Sequence, residues 1–587
     1  MTHNGTYGPG AMLTIPVIVT VLLLGGAWRS SSAVQCDPHD GNVLACSVTK
    51  IQPCDPSLIG VDLRSCPLPI VDNDGSEIEL HFMPMHLTTP AASFVTRAFA
   101  GRDRVPSIPG PVIRTRQNQV VKITLYNDLD DRQTPRGTAV NGFFEFNTTN
   151  LHTHGLHVSG EQPQDDVAVR VRTRHVGRRS QPLLTQRADV QIPPGYRYRY
   201  ELEIGPHESG LHFYHAHAHG ATRMQIGGGA FGLFIIDDEP GNSPASFLRR
   251  LPTTIVSIWH FPASALAAIA DDNDVFRQVS GGIVSSLRLV NGFLRPKLTM
   301  NANQWNRLRL HYSSTDEILR VTIPACQVVL LALDGVWLSQ PRVIPVIQFL
   351  EASRVEVAVA CPPGGPFPVQ AADGTTVFTI AIEAIAEQGP ATLDAALWQI
   401  PPRPDYLQDT TGIPDDQVAT FALTINSPHT DAGINGRKFS GVQRDDALHV
   451  MRPGTVQQWA LDVNEHPLHV HMVPFQLQAD SSDGFYRRGD WIDTYLGPPI
   501  AVRAHITADL NGKVMLHCHI AEHADMGVGG ILWVDGTSRQ RQRSPERVES
   551  GVVPYRGAPR GNAHVNSFVL ALAVGIVFAA FNEYMRR

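Results

Sequence analysis

Leu516-His517-Cys518-His519-Ile520-Ala521-Glu522-His523 closes an apolar, strand-like run near the C-terminal end of this chain. On a β-strand successive side chains point to opposite faces, so His517 and His519 share one face and Cys518 points to the other. The three residues therefore serve two adjacent sites. A thiolate with two imidazoles is the donor set of a one-electron copper site, and His523 and His466 are at hand to complete it. His466 precedes His469 by an odd offset, which in extended chain aims it away from the face shared by His469 and His471.

Histidine pairs of the same kind recur upstream. Chance placement of 25 histidines in 587 residues gives about one His-x-His pair, and five occur: His152/His154, His215/His217, His217/His219, His469/His471 and His517/His519. Each can present two imidazoles to one metal cluster from one face of a strand. Imidazole suits copper, zinc, iron and nickel alike, so the pairs do not name the metal; Cys518 does.

From about residue 75 to 540 the chain consists of short β-like runs such as Val120-Val121-Lys122-Ile123-Thr124-Leu125 and Arg354-Val355-Glu356-Val357-Ala358-Val359, punctuated by Gly, Pro, Asn and Asp. No long amphipathic helix interrupts them. This texture reads as sandwiches or barrels in consecutive units, and 587 residues are too many for one hydrophobic core. Pro240-Gly241-Asn242-Ser243-Pro244 and Pro401-Pro402-Arg403-Pro404 are the linker candidates. They divide the body into 70–240, 250–400 and 415–537.

Four segments, Leu151-HTHG-Leu156, Tyr214-HAHAHG, Glu465-HPLHVH and Leu516-HCHIAEH, resemble in order the four copper-binding signatures of the three-domain multicopper oxidases, the family of laccases, ascorbate oxidases and ferroxidases. The flanks GPVIRTRQNQVVKITLYNDL (110–129), LVNGFLRPKLTM and LALDGVWL extend the resemblance over about residues 75 to 540. It implies an all-β fold of three consecutive cupredoxin-like Greek-key β-sandwich domains, plus terminal hydrophobic segments. It also implies four copper ions per chain. His152 and His469 would bind the type 2 copper, and His154, His215, His217, His471, His517 and His519 the type 3 pair. His466, Cys518 and His523 would hold the type 1 copper. The cluster would then lie between the first and last domains, with the middle domain, which offers only His260 and His311 and no pair, as a spacer. The type 1 site would take single electrons from a reducing substrate, and the cluster would reduce dioxygen to water.

By the same resemblance Asp165 matches an acidic position near the cluster, suited to proton delivery, with Asp166 an equal candidate by eye. Asp493, in Trp491-Ile492-Asp493-Thr494, resembles the segment that approaches the type 1 histidine, where it could orient a substrate or take its proton. The axial position of the type 1 copper, counted ten residues on from Cys518, falls on Val528, with Met526 two residues short. His157, His212 and His219 read as supporting or structural residues.

The ends and the cysteines bear on location. Ala11 to Ala27 is apolar and is followed by small residues through Ala33, so residues 1–33 read as a signal peptide or a retained anchor. Cys36, Cys46, Cys54 and Cys66 crowd the Cys-rich segment 34–69 as disulfide partners in an oxidising compartment would, with pairing open. Cys326 and Cys361 would form a further bridge, leaving Cys518 unpaired. Residues 565–581 form a mostly apolar run before Arg586-Arg587, read as a transmembrane segment in preference to a glycolipid-anchor signal. The expectation is a protein of the secretory pathway, at the cell surface and membrane-anchored through that segment. Six arginines between Arg170 and Arg187 form a solvated loop or an anion contact. A net charge of -7 disfavours nucleic acid as a partner.

The expected partners are dioxygen and a small reducing substrate, a phenol, an amine or a metal ion. A laccase-like enzyme is favoured over a ferroxidase, for which Asp480, Asp483, Asp490 and Asp493 could form an acidic landing site. With only 11 methionines, well dispersed, a Met-rich cuprous site is disfavoured. A non-catalytic copper-binding surface protein would have lost cluster ligands, and none is lost. A zinc hydrolase has no use for His-Cys-His.

Overall fold

The computed structural model describes residues 32–36, 46–50, 54–130, 140–167, 192–244, 246–262, 278–280, 287–385, 398–425, 427, 432–536 and 553–554. The chain divides into the units 1–55 and 56–587. In the first, Ser32–Cys36 pairs antiparallel with Cys46–Lys50.

Period-two patterning in the sequence becomes strand wherever one face meets a core. In Gln119–Asn127, Val121, Ile123 and Leu125 are fully buried while Val120 is 40% exposed. Each such buried side chain contributes about 1.5–3 kcal/mol. In Arg354–Ala360 both faces are buried. Val355, Val357 and Val359 occupy one face, and the other carries Arg354 and Glu356, whose charges are met by buried partners; Glu356, for example, takes the guanidinium of Arg307.

Three pairs of sheets follow one another along unit 56–587. In the first pair, Glu77–Thr88, Ser93–Ala100, Gln119–Asn127 and Tyr196–Ile204 form one sheet. The other holds Ile70–Asp72, Gly110–Thr115, Phe231–Ile236, Gly210–His215 and His152–His154. The second pair begins at Thr253–Phe261 and ends at Thr376–Ile385. The third runs from Thr420–Thr424 to Gly529–Val534. Helices are short: Thr222–Gly227 and Ala521–Asp525 are the α-helices among the described residues. The chain is an all-β protein of three cupredoxin-like sandwiches, as the resemblance implied.

Several segments cross the divisions drawn from the linkers. Val61 and Leu63 flank Lys297 in backbone hydrogen bonds, so part of the Cys-rich segment adds to the edge strand Lys297–Ala302 of the second sandwich. Gln278–Ser280 pairs with Ser93–Ala100, and Val553–Pro554 pairs with Tyr196–Ile204, both extending a sheet of the first sandwich. Cys326 and Cys361 are bridged, Cys54 and Cys66 are disulfide-bonded, and Cys518 is the free cysteine among the described residues. Asn147, which opens the glycosylation sequon Asn147-Thr148-Thr149, is buried and hydrogen-bonded to Arg97 and Asp130. The apolar runs 11–27 and 565–581 and the arginines 170–187 lie outside the described residues. Among those described, no helix is long and apolar enough to cross a membrane.

Candidate metal centre

Register places the ligand-type residues. His152–His154 pairs antiparallel with Gly210–His215, setting His152 opposite His215. In the third sandwich Leu468–Val470 pairs with Gly512–Cys518, setting His469 opposite His517 and Leu468 opposite Cys518. Side chains directly opposite lie about 5 Å apart at Cβ, so each pairing delivers imidazoles to one spot.

Eight imidazoles from the first and third sandwiches meet in a buried cluster. His154, His215 and His519 form one set of mutually close donor atoms, and His217, His471 and His517 another. His152 joins His154 and His469 in a third. Nε2 of His517 lies 3.0 Å from Nε2 of His217 and 3.1 Å from Nε2 of His471. The rings of His154 and His469 stack at 3.7 Å, as do those of His152 and His471.

In five of the eight histidines the nitrogen turned away from the cluster is held, while both nitrogens of His519 are buried without a hydrogen-bond partner among the described residues. Nδ1 of His215 donates to the Ala216 carbonyl, Nδ1 of His517 to the Cys518 carbonyl, and Nδ1 of His469 to the Asp493 carbonyl. Nδ1 of His152 lies 2.7 Å from Asp165 Oδ2. His154 is reversed: its Nε2 faces Asp493 Oδ1 at 3.2 Å. The opposite nitrogens, Nε2 of His152, His215 and His469 and Nδ1 of His154, are buried with no hydrogen-bond partner among the described residues. Buried polar atoms without partners are costly, and a ligating histidine has its second nitrogen on a carbonyl or carboxylate. Burial first, and the neighbouring imidazoles second, hold His152, His154 and His519 well below the ordinary histidine value, so these rings are neutral and their lone pairs are free for a metal. The donor set fits copper.

On the other side of the same strand lies a three-residue site. His466 Nδ1 is 3.3 Å from Cys518 Sγ, His523 Nδ1 is 3.7 Å from it, and the two imidazole nitrogens are 3.1 Å apart. The Ser427 carbonyl holds His466 Nε2 at 2.6 Å. Cys518 is fully buried and burial pushes its thiol up, so without a metal it is neutral; a coordinating cation deprotonates a thiol outright. Its neighbours in sequence, His517 and His519, belong to the cluster, so one backbone joins the two sites.

The acidic residues sort differently from expectation. Asp165 accepts hydrogen bonds from the Thr153 backbone and hydroxyl and contacts His152, and burial pushes its carboxyl up to about 8. Asp166 is paired with Lys513. Asp493, expected beside the mononuclear site facing substrate, is instead buried against the cluster, touching His154 and His469 and ion-paired with Arg354. Its strand-end position turns it inward because Thr494–Tyr495 pairs with Leu468–Val470. The acidic landing site also dissolves: Asp490 is buried on Arg342, Asp480 accepts the Arg488 N–H, and Asp483 caps its own turn.

Nor is the middle sandwich a spacer. Arg354 and Asp334 from it reach Asp493, and His311 packs on Phe213, which stacks on His154 and His215. Sequence reasoning missed Arg354 and Asp334. The available signal was a charged residue opening a Val-rich strand that reads as buried on both faces. His157 is fixed by the Met472 carbonyl and Thr507, and His219 by Asn141, both outside the cluster. His212 is buried between the chain at Gly155 and at Gly335.

Residues 400–538 match the family model described as multicopper oxidase, and a curated relative, "Multicopper oxidase mco" of Staphylococcus aureus, is 25% identical over 438 residues, 72% of this chain and 82% of the relative. Over both comparisons the chain is similar to multicopper oxidases. Solved structures share the fold. A laccase from Pediococcus acidilactici aligns with a TM-score of 0.59 at 19% identity, over 80% of this chain and 92% of that one. A multicopper oxidase from Campylobacter jejuni, described as a metallo-oxidase, aligns with a TM-score of 0.56 at 18% identity, over 81% and 98%. The eleven residues of the two adjacent sites are the copper-ligand candidates that this similarity points to.

Proposed function

We propose that this chain is a laccase-like multicopper oxidase, coupling four one-electron oxidations of a small reducing substrate to the reduction of dioxygen to water. In this reading His152 and His469 hold the type 2 copper. His154, His215 and His519 hold one type 3 ion, and His217, His471 and His517 the other. His466, Cys518 and His523 hold the type 1 ion. Bound copper supplies the one-electron redox chemistry and the activation of dioxygen. The observation that carries the reading is the double role of Gly512–Cys518 and the residue after it: Cys518 turns to one donor set while His517 and His519 turn to the other. The covalent path between the sites is then one residue long on either side of Cys518.

The protein's own part is positioning. Backbone carbonyls and carboxylates fix the tautomers of five of the cluster histidines, and the first and third sandwiches close water away from the cluster. Asp165, on His152, is the carboxyl we assign to proton delivery. Asp493 takes no part in substrate binding in this reading. The carboxylates expected to receive a metal ion are committed to Arg342 and to local turns, which favours an organic reductant over ferrous iron. The disulfide between Cys326 and Cys361 supports export to an oxidising compartment.

Oxygen uptake measured side by side with a hydroquinone, ascorbate and ferrous iron tests the assignment. Faster turnover of the hydroquinone, with an intense blue absorption and about four coppers per chain, is expected. Turnover confined to ferrous iron would make the enzyme a ferroxidase, and absence of blue absorption would remove the type 1 assignment.

A further inference from the structure

Asp493 belongs to the third sandwich, yet what holds its side chain comes from the second. Arg354, with no exposed side-chain surface, grips both carboxylate oxygens: Nη1 donates to Oδ1 at 3.2 Å and Nη2 to Oδ2. The guanidinium is itself anchored, through Nη1 on the Ala352 carbonyl at 2.9 Å and Nη2 on the Asp334 carbonyl at 3.1 Å. Asp334 completes the frame. One of its oxygens accepts the backbone N–H of Arg354 and the other the backbone N–H of Asp493, each at 3.2 Å.

The held carboxylate faces the cluster. Asp493 Oδ1 takes Nε2 of His154 at 3.2 Å and the Thr494 hydroxyl at 2.9 Å, and its carbonyl takes Nδ1 of His469 at 2.9 Å. His154 comes from the first sandwich, so three sandwiches meet through one carboxylate. The packing around the guanidinium is tight: a Cβ on Gly155, the residue after His154, would lie 2.4 Å from Nη2.

A rotation of Asp493 would free Nε2 of His154 and allow that ring to turn, and with it the nitrogen it offers inward. A bidentate guanidinium forbids the rotation, because two parallel N–H donors fix the carboxylate plane where a point charge would not. We propose that Arg354 and Asp334 of the middle sandwich are positioning residues for the copper cluster, holding Asp493 so that His154 presents Nδ1 and His469 presents Nε2 to the metal. The inference rests on the copper-ligand reading above.

The test compares the full-length, copper-loaded protein with Arg354→Met, Arg354→Lys and Asp334→Asn. The readouts are copper per chain, blue absorption, the type 2 electron paramagnetic resonance signal, and thermal unfolding of the copper-free chains. Arg354→Met should keep the blue absorption of the Cys518 site. It should lose or alter the type 2 signal, with copper affinity at the cluster down about 10- to 100-fold. Arg354→Lys keeps the charge without the fork and should fall between. Asp334→Asn should show a smaller change of the same kind. If Arg354→Met does not fold, the other two variants are judged by the same signals. A wild-type type 2 signal and full copper content in folded variants, with only a lower unfolding temperature, would overturn the proposal and leave these residues structural. A wild-type chain that binds no copper would overturn the ligand reading itself, and this proposal with it.

Discussion

Cys518 donates its backbone N–H to the carbonyl of Val528 at 3.0 Å, and Val528 donates its own N–H to the carbonyl of His523 at 2.9 Å. Val528 is thereby tied to two ligands of the proposed type 1 site, and it is fully buried. Met526, the C-cap of Ala521–Asp525, is only partly buried. A branched aliphatic cannot donate to copper, whereas a thioether donates weakly and stabilises the oxidised ion. Val528→Met should therefore lower the type 1 potential and slow oxidation of the most reluctant donors first. Redox titration decides it: an unchanged potential, or a larger shift in Met526→Leu, would move the axial role to Met526.

Cys518→Ser should give a folded, colourless and inactive protein. The hydroxyl is close in size to the thiol but cannot replace a thiolate on copper. In this buried position, with His466 Nδ1 3.3 Å from the sulfur it replaces, the exchange should cost at most about 1–3 kcal/mol, well within what a folded domain tolerates. Absorption, oxygen uptake and thermal unfolding on one preparation check it; retained turnover would contradict the assignment.

Glu351, just after the strand Ile347–Phe349, is buried, and its Oε2 has no partner among the described residues. Burial, with Asp316 and Glu317 adding to it, pushes its carboxyl from 4.5 up to about 7. The folded chain thus binds this proton more tightly than the unfolded chain. Below about pH 4.5 both states hold it and there is no penalty. Stability is lost as pH rises through the window, and the loss is complete above about 7. Glu351→Gln should remove this dependence, with a gain over wild type that grows to about 3 kcal/mol by pH 8. Denaturant unfolding of the copper-free proteins across this range measures it, and a difference independent of pH would refute the account.

Gly155 follows His154 with φ +90°, and an added Cβ would meet Arg354 Nη2 at 2.4 Å and His212 Nδ1 at 2.8 Å. Both the backbone region and the crowding oppose a side chain, so Gly155→Ala should cost about 2–4 kcal/mol. Gly412→Ala, at an ordinary φ with nothing within 4 Å, should stay within about 0.5 kcal/mol. Comparable unfolding temperatures in the two variants would count against the tight packing described around Arg354.

What the amino-acid sequence determined by itself was whatever depends on neighbours a few residues apart. Strand alternation in Val120–Leu125, the opposite facing of Cys518 and its two flanking histidines, and the outward aim of His466 from the His469/His471 face all follow from period two, a local property of extended backbone. The order of four histidine segments was enough to carry the resemblance to the multicopper oxidases. Tertiary structure alone decided which imidazoles share a metal-sized space, because that is set by the pairing of His152 with His215 and of His469 with His517 across strands distant in sequence. It also decided that Asp165 and not Asp166 meets the cluster, and that Asp493 faces inward. The stretch around Arg354 signals a buried charge but not its partner. A lone arginine opening a Val-rich strand has no visible partner there; its meaning comes from Asp493, 139 residues away, since a buried charge is stabilised only by the opposite charge the fold brings to it.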